Sequence, residues 1–178
     1  AAELGVKLPK QTTIEIEKLI YGPPPEFSLP IVIKPPSSYS SADLGQRREV
    51  AIVSSQAQLK DTVEKNLSWG EVLVQEVFQG LGTGVEVLAH RGQILAIFQH
   101  MRVHEPLGGG ASSYRKSVPI NPELQQATEK LMTALEYSGV AMVEFKIDPK
   151  SGDWIFIEIN GRFWGSLPLA IASGVDFP

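Results

Sequence analysis

The chain has 178 residues, 43% of them hydrophobic and 20% charged, with no cysteine and a formal charge of −4. That composition supports a buried core in one domain or two joined lobes, and excludes a disordered chain, a disulfide framework and a thiolate metal site. The acidic balance argues against a nucleic-acid partner, and no apolar run nears the roughly 18 residues of a membrane helix. No signal peptide is evident, so a cytoplasmic protein is expected.

The first residues, "AAELGVKLPKQT", read as the last turn of a helix closed by Gly5, followed by an extended exit through Pro9. A start at a helix end and a stop at "ASGVDFP" suggest a piece of a longer protein. "LPIVIKPP" (29–36) reads as a short buried strand bounded by prolines, and "SSYSSADLG" (37–45) as a serine-rich loop. In "QAQLKDTVEKNL" (56–67), Leu59, Val63 and Leu67 share one helical face, and Trp69 and Gly70 end the helix. "EVLVQEVF" (71–78) is a strand and "QGLGTG" a flexible connector. "VEVLAH" and "QILAIFQHMRVHE" form a hairpin across Arg91 and Gly92, before a glycine-rich loop "PLGGGASSY" (106–114). A helix runs from Pro122 to about Tyr137 with Asn121 as N-cap, a stripe of Leu124, Ala127, Leu131 and Leu135, and Gly139 as its close. "VAMVEFKID" (140–148) and "WIFIEIN" (154–160) are two strands around "PKSGD", and "LPLAIASG" is a short final helix.

The chemistry concentrates in "IFIEINGRFWGS". Strand side chains alternate faces, so Glu158 and Asn160 point the same way. A loop over residues 149–153 pairs 148 with 154, and therefore Glu144 with Glu158. Like charges directly opposite destabilise a sheet unless a cation lies between them. Glu144, Glu158 and Asn160 offer only oxygen ligands, which favours Mg²⁺ or Mn²⁺ over zinc. Arg162, two positions on, then faces a phosphate. Lys34, at a strand end beside small hydroxyl residues, suits a polyphosphate, although the GxxxxGK[ST] order of a Walker A loop is absent. His90, His100 and His104 lie on or near the hairpin strands and are expected to be half-buried or solvated rather than ligands.

The ordered set "IVIKP", "VLVQEVFQG", "VEVLAHRGQILA" and "VEFKID…WIFIEINGR" resembles an ATP-grasp domain over most of the chain. "RVHEPLGGGASSYRKS" and "NGRFWGSLPLAIASGVDFP" are similar to the carbamoyl-phosphate-synthase-like, carboxylate–amine ligase branch. The resemblance implies an α+β ATP-grasp fold, two lobes with mainly antiparallel sheets gripping ATP between them. The N-terminal lobe would be residues 1–75 and the C-terminal lobe 76–178, without the preceding substrate domain. It implies that Lys34 contacts the α- and β-phosphates and that the 37–45 loop, beginning with Ser37 and Ser38, closes over them. Gln75, Glu76, Val77 and Phe78 would be the hinge, with backbone groups of Glu76 and Phe78 reading adenine and Glu86 meeting the ribose. Glu144, Glu158 and Asn160 would hold Mg²⁺, and Arg162 would stabilise the transferring phosphoryl group.

The activity implied is phosphorylation of a small carboxylate by ATP and displacement of phosphate by an amine. A glycine-rich lid over 106–114 would exclude water, with Arg102 or Arg115 at its edges meeting the acceptor carboxylate. Such enzymes place a further lysine before this region, for which Lys18 is a poor substitute. The alternatives are a phosphotransferase that stops at carbamoyl or acyl phosphate, and a nucleotide-binding domain without turnover. A homo-oligomer through the full-length protein is a further expectation.

Overall fold

The computed structural model describes residues 1–37, 39–40, 43–104 and 114–177, and for 39–40 and 43–47 the backbone only. The chain forms two compact units, Pro9–Val77, and Ala1–Leu8 together with Phe78–Pro178. The first unit ends at Val77 rather than at residue 75, and Ala1–Leu8, expected in the N-terminal lobe, group with the second unit.

In the first unit, β1 (Gln11–Glu15) leads into a 3₁₀ turn, Ile16–Tyr21. There follow β2 (Ile31–Lys34), β3 (Tyr39–Ser40), β4 (Asp43–Arg47), β5 (Ala51–Val53), α1 (Gln56–Asn66) and β6 (Glu71–Glu76). The antiparallel sheet runs β1-β6-β2-β5, and β3 pairs with β4 where the sequence suggested only loop. Ile31, Ile33, Val53, Val72 and Val74 bury one sheet face against Leu59 and Val63 of α1 and against Ile16 and Leu19. The Ser55 hydroxyl caps α1 by accepting from the Gln58 N–H at 3.2 Å. Leu67 falls outside the expected stripe because the α-helix stops at Asn66, and its side chain is exposed.

In the second unit, β7 (Leu81–His90), β8 (Gln93–His104) and β9 (Tyr114–Ser117) precede α2 (Pro122–Ala134). The chain then forms β10 (Gly139–Ile147), β11 (Trp154–Asn160) and α3 (Leu167–Ala172). The antiparallel order is β11-β10-β7-β8-β9. Two sequence expectations change here. "QGLGTG" is not a flexible connector, because β7 starts at Leu81 and pairs Leu81–Gly84 with Ile147–Glu144 of β10. The second helix ends at Ala134; Glu136 turns the chain at φ 46°, and Gly139 opens β10 instead of closing the helix. The glycine-rich segment 106–113 lies outside the described residues, and Tyr114 belongs to β9.

α2 covers one face of this sheet. Leu124, Ala127, Leu131 and Met132 pack on Val85, Val87, Val143, Phe145 and Trp154, and Val6 of the N-terminal segment joins them. Full burial of each Leu or Met contributes about 1.5–3 kcal/mol. The Lys7 carbonyl accepts from the Phe156 N–H at 2.8 Å, which ties the N-terminal segment to β11. The other face of the sheet carries the polar residues described below.

Asn121 anchors α2 twice. Its Oδ1 accepts from the Glu123 and Leu124 N–H groups at 2.9 and 3.3 Å, and its own N–H donates to the buried Gln99 side chain at 2.7 Å. Replacing Asn121 by Ala removes the cap but not the backbone bond. Thermal unfolding should show a loss of about 1 kcal/mol, or about 2–4 °C in Tm. An unchanged Tm would mean that packing alone sets the helix start.

Candidate active site

The polar face is organised by strand register. Glu158 of β11 pairs with Glu144 of β10, which pairs with Gly84 of β7, which pairs with His100 of β8. The neighbouring row is Asn160, Met142, Glu86 and Phe98. A β-bulge between the Glu144 and Phe145 pairings leaves Ile157 as the extra residue of β11. Without it, Trp154, Phe156, Glu158 and Asn160 would share one face. With it, Trp154 and Phe156 pack edge-on against Phe145 in the α2 core. Glu158 and Asn160 emerge on the opposite face.

The expected pairing of the two glutamates is thus present, although the ladder begins at Ile147 and Trp154 rather than at 148 and 154. Their like charges are balanced by protein groups. Asn160 Nδ2 donates to Glu144 Oε1 at 3.1 Å and to Glu158 Oε1 at 3.0 Å. Arg102 Nη2 donates to Glu144 Oε2 in a short ion pair. Sequence reasoning sent Arg102 to an acceptor carboxylate, whereas its guanidinium holds Glu144. Burial raises the Glu144 pKa; Arg102 opposes that, and the Glu158 charge adds to it. Glu158 itself is exposed. Arg162, also exposed, donates to Asn160 Oδ1 at 3.3 Å and to the Phe163 carbonyl at 3.1 Å.

Among the described residues no group of three or more His, Cys, Asp or Glu is placed to hold a metal ion. The candidate set is instead two carboxylates and one amide. Rotating the Asn160 amide replaces a donor between the carboxylates by a third oxygen. That donor set fits a hard divalent cation.

In the first unit Lys34 ends β2, on the strand face opposite Ile31 and Ile33. Ser37 is exposed, and Ser38 lies outside the described residues. The buried Gln75 side chain donates to Gln11 at 2.6 Å across the β1–β6 pair. The Glu76 N–H donates to the Lys10 carbonyl at 3.0 Å, and its carboxylate accepts from the Lys10 N–H at 2.8 Å. Those bonds engage the Glu76 N–H and one carboxylate oxygen within the first unit. Val77 and Phe78 follow, both half-buried.

Glu86 has no surface for a ribose. It is completely buried in β7, with Oε1 in a short hydrogen bond to His100 Nδ1. His100 is 1% exposed, fully buried where a half-buried or solvated side chain was expected. Burial pushes the Glu86 carboxyl well up. Burial, with Arg115 and Arg102 nearby, pushes His100 down to about 4. Burial therefore disfavours the charged form of both partners, the carboxylate of Glu86 and the imidazolium of His100. The sequence signal for this pair is the period-two "GVE" of β7, whose Gly84 makes room for it. A Cβ at Gly84 would lie 2.7 Å from His100 Cε1 and 2.9 Å from Glu86 Oε1.

The signs of these shifts set a pH dependence. A raised native pKa at Glu86 gives stability that is complete below its ordinary 4.5 and is lost as pH rises towards the native value. Glu86→Gln cannot titrate, so its Tm relative to the unmodified chain should rise between pH 5 and pH 8. The lowered His100 acts in both proteins, costing stability as pH falls from 6.5 towards 4. A Glu86→Gln protein that is least stable, relative to the unmodified chain, at pH 8 would instead identify a charged pair.

Residues 68–178 match the family described as "ATP-grasp in the biosynthetic pathway with Ter operon". D-aspartate ligase of Enterococcus faecium (strain Aus0004) is 23% identical over 175 residues, covering 90% of this chain and 41% of that protein. L-amino acid ligase from Bacillus licheniformis has a similar structure, with a TM-score of 0.65 and 18% identity over 96% of this chain and 40% of that one. Biotin carboxylase from Campylobacter jejuni gives a TM-score of 0.72 and 17% identity over 98% and 41%. The chain thus spans about two-fifths of the length of these relatives. No helix among the described residues is long and apolar enough to cross a membrane. With a family match over more than half its length and the mainly antiparallel α+β fold of those structures, the chain belongs to the ATP-grasp family.

Proposed function

We propose that this chain is the nucleotide-binding and phosphoryl-transfer core of an ATP-dependent carboxylate–amine ligase that works through an acylphosphate. The observation that carries the reading is the Glu144–Glu158 pair, bridged by Asn160 and flanked by Arg162 and Arg102. Among the described residues the two aligned carboxylates pair with a single guanidinium, Arg102 on Glu144, which leaves negative charge for a divalent cation to balance, and Arg162 beside them suits phosphate oxygens. The relatives named as D-aspartate ligase and L-amino acid ligase support an amino-acid-type substrate.

In this reading Lys34, with Ser37 and Ser38, contacts the phosphates, and Gln75–Phe78 borders the adenine, which the Glu76 carbonyl and the Phe78 N–H read. Glu144, Glu158 and Asn160 hold Mg²⁺ or Mn²⁺, which when bound neutralises phosphate charge. Arg162 stabilises the equatorial oxygens of the group in transit. Phosphoryl transfer depends on position and charge rather than on proton abstraction, so the site requires no general-base dyad. The γ-phosphate passes to the substrate carboxylate, ADP leaves, and the amine displaces phosphate. Glu86 has no part in nucleotide contact.

Glu158→Gln keeps shape and removes one charge. It should weaken Mg·ATP binding at least about tenfold, near 1.4 kcal/mol, with a much smaller effect on metal-free ATP in calorimetry. The apo Tm should stay level or rise slightly, since the repulsion with Glu144 is relieved. Equal Mg·ATP affinities would sink the metal assignment.

The hinge is tested separately. Val77→Pro removes an N–H and fixes φ, and should abolish ATP binding, whereas Gln75→Ala should change it little. The ligase step is tested with the full-length protein on a panel of amino acids and amines. Phosphate release that requires both a carboxylate and an amine is expected. Release with a carboxylate alone would indicate a phosphotransferase, and none at all a binding domain.

A further inference from the structure

The buried edge of the polar face holds a pattern that phosphoryl transfer leaves unexplained. Four buried side-chain atoms lack a hydrogen-bond partner among the described residues: Glu86 Oε2, His100 Nε2, Arg115 Nε and Trp164 Nε1. They belong to one cluster. Ser166 Oγ lies 3.3 Å from His100 Nδ1, the same nitrogen that binds Glu86. Gly165, between Trp164 and Ser166, lies against Arg115, whose Nη1 is 3.9 Å from where its Cβ would stand.

Trp164 and Ser166 sit on the turn that carries Arg162. The near end of that turn is held by Asn160, through its bonds to Glu144 and Glu158. The far end is Ser166, the N-cap residue of α3. Its hydroxyl makes no cap bond and is directed to His100 instead. Stability alone does not call for a carboxyl and an imidazole at this depth, since apolar residues of similar volume often serve as well or better. Buried groups without a partner on and beneath the turn also lower the cost of opening it to water. The turn therefore depends on a few directed bonds at its two ends.

We infer that Glu86 and His100 are positioning residues: through Ser166 they fix the 160–166 turn on the sheet, and with it the approach of Arg162 to the Glu144–Glu158 carboxylates. The role of Arg162 in this statement rests on the proposed nucleotide reading; the tether itself does not. Gly84 is part of the device, because a side chain there would displace the imidazole. Trp164 contributes apolar anchorage, packing edge-on against Phe177 beside Phe98 and Met142.

The test uses Ser166→Ala, which removes one oxygen, with Ser166→Thr as the conservative rescue and His100→Gln as a second lesion. Hydrogen exchange of the whole chain should show amides 162–167 exchanging about tenfold faster in Ser166→Ala and His100→Gln, with α2 and β10 unchanged, and Ser166→Thr restoring protection. Uniform acceleration across the second unit, or none in the turn, would overturn the tether. A second arm measures Mg·ATP affinity for Arg162→Ala, Ser166→Ala and the double variant. Coupling of about fivefold or more is expected. Additive effects would overturn the link to Arg162 even if exchange responds. If Arg162→Ala leaves Mg·ATP affinity unchanged, the link from the tether through Arg162 to bound nucleotide is overturned and the exchange result alone decides the tether.

Discussion

Two carboxylates facing each other across adjacent antiparallel strands are the constraint around which the second unit is arranged. Glu144 and Glu158 form a directly opposed pair, and without compensation that position weakens the sheet. The surrounding residues supply the compensation. Asn160 places its amide hydrogens on both carboxylates, and Arg102 reaches from β8 across β7 to the other oxygen of Glu144. On β7 between them, Gly82 and Gly84 pair with Lys146 and Glu144 of β10. These glycines, which read as part of a loose connector, are therefore strand residues.

Two bulges make the sheet two-faced. In β11 the extra residue Ile157 lets Trp154 and Phe156 enter the α2 core while Glu158 and Asn160 take the other face. In β8 the register shift opposite Leu88 and Ala89 leaves Leu95 as the extra residue, exposed to solvent. Ile94 and Ile97 then face the α2 core, while Ala96 and Phe98 face the cluster around Trp164. Bulges near sites commonly redirect side chains in this way. Here each lets one strand supply both an apolar core and a polar or mixed face.

This accounts for what was legible in the sequence. β10, β11, the cap at Asn121 and the opposed glutamates follow from local pattern, because hairpin geometry and cap chemistry act over a few residues. The glutamate pair was reached through a ladder displaced at its start, and the bulge at Ile157 restored the register. The Glu86–His100 contact lies beyond the β8 bulge, where counting back from the Arg91–Gly92 turn gives the wrong partner. The Arg102–Glu144 pair joins strands that are not neighbours in the sheet, so no two-strand pattern reveals it. β1 was missed because "QTTIE" is short and largely polar, and it is a strand only because β6 pairs with it.

The hydrogen-bonded groups of the polar face also differ in what they ask of a ligand. Glu158 and Arg162 are exposed, and their contacts to Asn160 are surface bonds that water can replace. Glu144 is only 14% exposed at its side chain and already has Arg102, so losing that guanidinium would leave a buried charge without a partner. Glu86 is deeper still, and burial raises its carboxyl pKa. The face thus grades from an adjustable rim, through a fixed ion pair, to a fully buried carboxyl. Such a gradient lets incoming charge rearrange the rim without disturbing the frame behind it. Under the proposed phosphoryl-transfer reading, preorganised charge of this kind lowers the reorganisation cost of moving a highly charged group.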